Sequence, residues 1–281
     1  FHTWLPLAHV EAPTAISVLL AGILLKLGVY GILRINYGLM PDGVYWFSGA
    51  LAALGLINVV WGGLCALAQT DLKKLVAYSS VNHMGYSLIG MAAIVAAGEA
   101  NGLNLKAAQA GLGGAVFQMF NHGTISAMLF ILVGVIYDRA HHRQIDGFGG
   151  LAAQMPIYTG ITALAFFAGL GLPGFSGFIS EAMCFIGAFP VYRGIVIAST
   201  IGILLNAAYF LWAFQRIFFG ELNEKYTDLP EINRLELFTV VPLLVITLFF
   251  GIYPAPYLDI IASTMDEIIH HVVSLATFAG M

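Results

Sequence analysis

The sequence predicts an all-α fold, a polytopic membrane helical bundle of about seven spans that includes one discontinuous helix. Three observations carry that reading. Only 26 of the 281 residues, 9%, are Asp, Glu, Lys or Arg, while 59% are hydrophobic; a soluble domain carries about 25% charge. The apolar residues gather into runs long enough to cross the ~30 Å hydrocarbon core. Within each run the apolar character continues around the helix circumference, without the alternation over about ten residues that a barrel strand requires. The same composition excludes a disordered chain, a nucleic-acid-binding chain, for which there is no basic block, and a disulfide-stapled secreted domain, since Cys65 and Cys184 lie isolated in apolar runs. The formal net charge of −4 is uninformative.

The runs fall at residues 12–35, 44–70, 73–97, 107–137, 155–189, 192–219 and 236–257, separated by short polar or Gly/Pro-bearing connections. Together they form a single transmembrane domain over 1–281. The fifth run is too long: about 35 residues at 1.5 Å each reach about 52 Å. It must tilt steeply or break, and GLGLPGFSGF at 169–178 supplies the break. Pro173 removes a backbone donor there, and four nearby glycines weaken the helix. Unwound backbone at membrane depth is tolerated beside protein or a wet cavity, so the interruption points to a transport path; a packing kink is the plainer alternative. Residues 258–281, with Asp259, Asp266, Glu267, His270 and His271 among apolar side chains, read as an interfacial C-terminal helix. The chain opens on Phe1 with HTWLPLAHVEAPT, which is no signal peptide, and so reads as a fragment.

Lysines and arginines set the orientation. Lys73, Lys74, Arg139, Arg143, Arg216, Lys225 and Arg234 follow the second, fourth and sixth runs, whereas Arg34, Lys106 and Arg193 follow the first, third and fifth. The first group is expected in the cytoplasm, together with the N-terminal end, and the C-terminus on the opposite side.

The remaining lysine, Lys26, sits near the centre of the first run, too deep to snorkel easily. His83 and His122 lie near the middles of the third and fourth runs, and Glu181 follows the break by about two turns. A charge at bilayer depth costs about 2.5–3.5 kcal/mol on insertion scales, so several at one level argue for function. A histidine can donate on one nitrogen and accept on the other, and Lys26, His83, His122 and Glu181 joined by water would make a proton wire along the membrane plane. Structural alternatives stand beside this: Lys26 as partner of a buried acid, His83 as a helix–helix hydrogen bond, Glu181 as a cap beside the broken turn. Lys73 and Glu11 are secondary candidates. No catalytic, cofactor-binding or metal site is read: His2 and His9 stand seven apart near a proline, His141 and His142 share a charged loop, no CxxC occurs, and GLGLPG and GLGGAV follow no strand.

Four blocks resemble a known family: FHTWLPLAHVEAPTAISVLLAGILLKLGVYGILR (1–34), ALAQTDLKKLVAYSSVNHMGYS (66–87), FQMFNHGTISAMLFILVG (117–134) and GLPGFSGFISE (171–181). They are similar, in order, to the antiporter-like subunits of respiratory complex I and of Mrp-type cation/proton antiporters. The resemblance implies the last seven of fourteen core helices, with Lys26 the central lysine of the eighth, His122 a connecting histidine and Glu181 the terminal group of the broken twelfth. L-, N- and D-type members usually carry lysine at the last position, so glutamate favours the M type, or chain 4. It implies a proton-translocating subunit of NADH:quinone oxidoreductase with no redox centre of its own. NADH, FMN, iron-sulfur clusters and quinone would belong to the complex, and neighbouring L- and N-type subunits and lipid would be the partners. The expected place is an energy-transducing membrane, the inner membrane of a bacterium. An Mrp-type Na⁺/H⁺ antiporter, the membrane module of an energy-converting hydrogenase, and a structural spacer are the alternatives. Two departures stand out. Leu7 replaces the aspartate of the pattern HTWLPDAH, in an expected cytoplasmic loop, and the family's paired glutamate and lysine on earlier helices would lie upstream of Phe1.

Overall fold

The computed structural model describes residues 2–98 and 102–278, with side chains for 2–97 and 105–274. All its regular elements are helical. The segment expected as a cytoplasmic loop is a short helix, α1 (Trp4–Glu11), ended by the Ala12-Pro13 step. Leu7 sits on it 54% exposed. Then come α2 (Thr14–Leu39), α3 (Pro41–Leu67), α4 (Leu72–Ala92, extended as a 3₁₀ stretch to Gly98) and α5 (Gly102–Ala140). The fifth run is two half-helices, α6 (Pro156–Gly169) and α7 (Ser176–Ala188). After them follow α8 (Arg193–Phe218), with a turn at Thr200, then α9 (Arg234–Ile252) and α10 (Ala255–Phe278). Six of these are long and apolar enough to span a membrane; the broken pair completes the seven.

Local chemistry places the ends. The Asp71 carboxylate caps α4 by accepting from the Lys73 and Lys74 amides at 2.8 and 3.2 Å. Asn233 and Glu236 form a reciprocal capping box at the start of α9. Pro41 and Pro156 occupy first-turn positions, where a missing N–H costs nothing. The seventh run, expected to reach 257, ends instead at Ile252, because Pro254 cannot continue that helix. Of the tail, residues 279–281 lie outside the described residues; the rest belongs to the helix Ala255–Phe278, and it docks: Gln109 donates to Asp266 at 2.6 Å and the His271 ring meets Gly38 O at 3.0 Å.

Helices α4 and α5 form the centre. In their most apolar windows 72% of residues are buried, against 22% in α2 and α9. Small residues let the inner helices touch: a β-carbon at Gly111 would lie 2.6 Å from Gly90 O of α4, and one at Gly187 of α7 would lie 2.3 Å from Gly111 N. That close approach brings α4, α5 and α7, which carry His83, His122 and Glu181, onto one another.

Candidate functional site

The break in the fifth run is built from its glycines. Helix α6 stops at Gly169, and Gly171 and Gly174 take φ of +78° and +104°, the left-handed region closed to most side chains. α7 restarts at Ser176, putting Glu181 in its second turn. The Glu181 carboxylate folds back on the unwound turn, its Oε2 only 3.2 Å from where a β-carbon on Gly171 would stand.

The other oxygen, Oε1, lies 2.9 Å from His83 Nδ1, and both side chains are under a tenth exposed. Gln118 approaches the same Oε1 at 3.5 Å and His83 O at 3.4 Å. The Gln118 carbonyl in turn accepts from the Ser180 hydroxyl, which also receives an Asn121 amide hydrogen at 3.0 Å. The imidazole and carboxylate therefore sit in a lattice of neutral dipoles. The His122 ring is 5.6 Å from that of His83. A cavity of about 10 Å³ lined by His83, Gln118, His122 and Glu181 lies among them, room for about one water. His83 Nε2 and both ring nitrogens of His122 are buried without a protein partner. Buried polar atoms of this kind are normally satisfied by water.

Lys26, 9% exposed, reaches this group from the other side of α5. A π turn over Leu20–Leu24 offsets the backbone ladder just before it. The Lys26 ammonium donates to Ala21 O, which also accepts from the Ser126 hydroxyl of α5 at 3.2 Å. Its Cε runs 3.8 Å from the β-carbon position of Gly123, the residue after His122. The structure thus brings His122, His83 and Glu181 together and sets Lys26 beside them across Gly123.

The secondary candidates lie near one end of the bundle. Lys73, expected in a loop, is only 4% exposed and donates to Ala12 O at 2.7 Å. It shares a cavity of about 180 Å³ with Glu11, Thr14, Tyr137 and Arg143. Arg143 lies 3.3 Å from Asp71 and 5.2 Å above the Tyr137 ring.

Sequence reasoning missed two residues. His9 is fully buried, stacked on Phe130 at 4.6 Å and 9°, with neither ring nitrogen partnered by protein. Burial first, then the positive charges of Lys73 and Lys26, push its pKa down to about 4. His9 hid in a polar opening that looked like loop. The other, Gln118, was signalled by standing one turn from His122 on the same face. Among the described residues no group of three or more His, Cys, Asp or Glu is placed to hold a metal.

The family model described as NADH:quinone oxidoreductase/Mrp antiporter, TM matches residues 1–206. NADH-quinone oxidoreductase subunit M of Rhodobacter capsulatus is 42% identical over 271 residues, 96% of this chain and 50% of its own length. NADH-ubiquinone oxidoreductase chain 4 of Chondrus crispus is 40% identical over 261 residues, 92% of this chain and 50% of its own. The chain spans about half the length of the curated relatives it matches. Among solved structures, respiratory complex I from Thermus thermophilus with bound NADH superposes with a TM-score of 0.83 at 27% identity, covering 95% of this chain and 55% of that one. The Mrp complex from Dietzia sp. DQ12-45-1b does so at 0.81 and 20% identity over 97% and 57%, a likeness of fold.

Proposed function

The chain belongs to the NADH:quinone oxidoreductase/Mrp antiporter transmembrane family, and from that premise we propose that it works as part of a proton-translocating membrane subunit, of the M or chain 4 kind, in an NADH:quinone oxidoreductase. The observation that carries the reading is the buried His83–Glu181 contact of 2.9 Å beside His122, with Lys26 across Gly123. Titratable groups at membrane depth are expensive and are retained where charge must move.

In this reading protons pass along Lys26, His122, His83 and Glu181. The Lys26 ammonium gives up an N–H proton; His122 accepts on one ring nitrogen and releases from the other; His83 repeats the exchange, and Glu181 takes the proton on Oε1. The ring separation of 5.6 Å leaves one water to bridge the two imidazoles. Charge arriving at one group changes proton affinity at the next, because electrostatics are strong in a low-dielectric interior. Redox chemistry, with NADH, FMN, iron-sulfur clusters and quinone, belongs to other subunits. The buried Lys73 and His9 and the cavity at Glu11 serve as the approach to Lys26 from the cytoplasmic face. The membrane is the bacterial inner membrane, and the exposed apolar flanks of α2, α8 and α9 meet lipid and neighbouring L- and N-type subunits.

The test is proton uptake or release per NADH oxidised by the assembled complex in sealed vesicles. Lys26→Ala and Glu181→Ala should lower the ratio while NADH oxidation by uncoupled enzyme persists. Unchanged ratios in fully assembled complexes would leave the chain a structural spacer.

A further inference from the structure

Three buried polar side chains play no part in the path above. Tyr86 of α4 and Asn206 and Ser199 of α8 are fully buried, and Tyr86 Oη, Asn206 Nδ2 and Ser199 Oγ have no protein hydrogen-bond partner. Each such atom is costly unless water satisfies it, and here they follow one line. Tyr86 stands one turn beyond His83, the two rings 6.2 Å apart. Its hydroxyl presses on Gly202 of α8, where a β-carbon would come within 2.6 Å. Ser199 and Asn206 lie three residues before and four after Gly202, so all three share one face of α8. Tyr209 fixes the Asn206 side chain by donating to its Oδ1 at 3.0 Å. Towards the Arg193 end of α8, Tyr192 donates to Ser48 of α3 at 2.7 Å, and the stretch Arg193–Ser199 packs against α3. Tyr192 is only half-buried, so the line ends close to the bundle's surface, at the end away from Lys73 and Arg143.

We propose that Tyr86, Asn206 and Ser199 form the outlet limb of the proton path, leading from the His83–Glu181 pair between α4 and α8 to the Ser48–Tyr192 hydroxyls. The proposal rests on the proton-translocating reading and assigns it a direction of release. Ser199 stands two turns, about 10 Å, from Asn206 on one side and from Tyr192 on the other, so a short file of waters carries the proton between these groups. In each hop a hydroxyl oxygen accepts a proton from the water behind while its own O–H proton passes to the water ahead. Only O–H bonds exchange, and no net charge stays on Tyr86 or Ser199. Asn206 does not ionise; it is a positioning residue that orients the Tyr86 hydroxyl and the adjacent water.

The test compares Glu181→Gln, Tyr86→Phe, Ser199→Ala and Asn206→Leu in the assembled oxidoreductase in sealed vesicles, reading protons moved per NADH oxidised and NADH oxidation by uncoupled enzyme. Tyr86→Phe should lose as much of the ratio as Glu181→Gln, Ser199→Ala and Asn206→Leu a part of it, with uncoupled oxidation retained in all. If Glu181→Gln lowers the ratio and the other three pump like wild type, the outlet limb is overturned while the wider reading stands. If Glu181→Gln is itself without effect, that reading fails and the outlet with it. Should Tyr86→Phe not assemble, Ser199→Ala, which deletes one oxygen, decides alone.

Discussion

Gly171 couples the shape of the broken helix to the chemistry of Glu181, and replacing it by alanine separates two costs. The first is conformational: at φ +78° a β-carbon costs about 1–2 kcal/mol against the backbone. The second is local. The new methyl would stand 3.2 Å from Glu181 Oε2, so the carboxylate must give by a few tenths of an ångström. Its Oε1 is 2.9 Å from His83 Nδ1, and a shift of that size carries the pair to about 3.2 Å, the edge of good hydrogen-bond geometry. Gly174 is the internal control. Its φ of +104° is likewise closed to most side chains, but its β-carbon would meet nothing within 4 Å. Gly171→Ala and Gly174→Ala should therefore both lose thermal stability, measured as the melting of tryptophan fluorescence in detergent. Only Gly171→Ala should lower protons moved per NADH oxidised in vesicles, and Gly171→Val should lower it further. Equal pumping defects in the two alanine variants, or none in either, would refute the link between the unwound turn and the carboxylate.

Arg139 spends its guanidinium on Val135 O, Pro230 O, Glu231 O and both oxygens of Glu236. Glu231 in turn caps α6 by accepting from the Ile157 and Tyr158 amides at 2.8 and 3.1 Å. Arg139→Ala should thus destabilise by about 2–4 kcal/mol, at the lower side of a buried pair because Glu236 keeps some solvent, and Arg139→Lys should recover part of it in the same melting assay. For His9 the pH dependence has a definite sign. Its folded pKa of about 4 lies below the ordinary 6.5, so its contribution is complete above pH 6.5 and is lost as pH falls towards 4. Opening of α1, followed by hydrogen exchange, should become easier by up to about 3 kcal/mol over that window. A His9→Phe variant should lose the dependence; exchange with the same pH profile in both would show that protonation of His9 does not govern the opening of α1.

The fold class was legible because low charge and span-length apolar runs leave a bundle as the solution, and Pro173 with its glycines marked the break where it occurs. Lys26 and Glu181 were conspicuous as lone charges inside such runs. Their relation to the histidines was not: His83 and Glu181 are 98 positions apart, and one sequence carries no sign of which helix faces meet. Lys73 was counted as a loop charge although it is buried, since its solvent is replaced by the Ala12 carbonyl of another segment. His9 escaped for a related reason: α1 is too polar to look like a span, and its burial comes from the Phe130 face of α5. The limit of the seventh run was misjudged because Tyr253–Tyr257 is apolar on both sides of Pro254, where the backbone and not hydropathy ends the helix.

The most direct test of proton transfer at the His83–Glu181 pair is infrared difference spectroscopy of the complex during NADH oxidation, in the region where a protonated carboxylic acid absorbs. Transient protonation of Glu181 gives a band that rises and decays with turnover, shifts in heavy water and vanishes in Glu181→Gln. An identical difference spectrum from wild type and Glu181→Gln would contradict it.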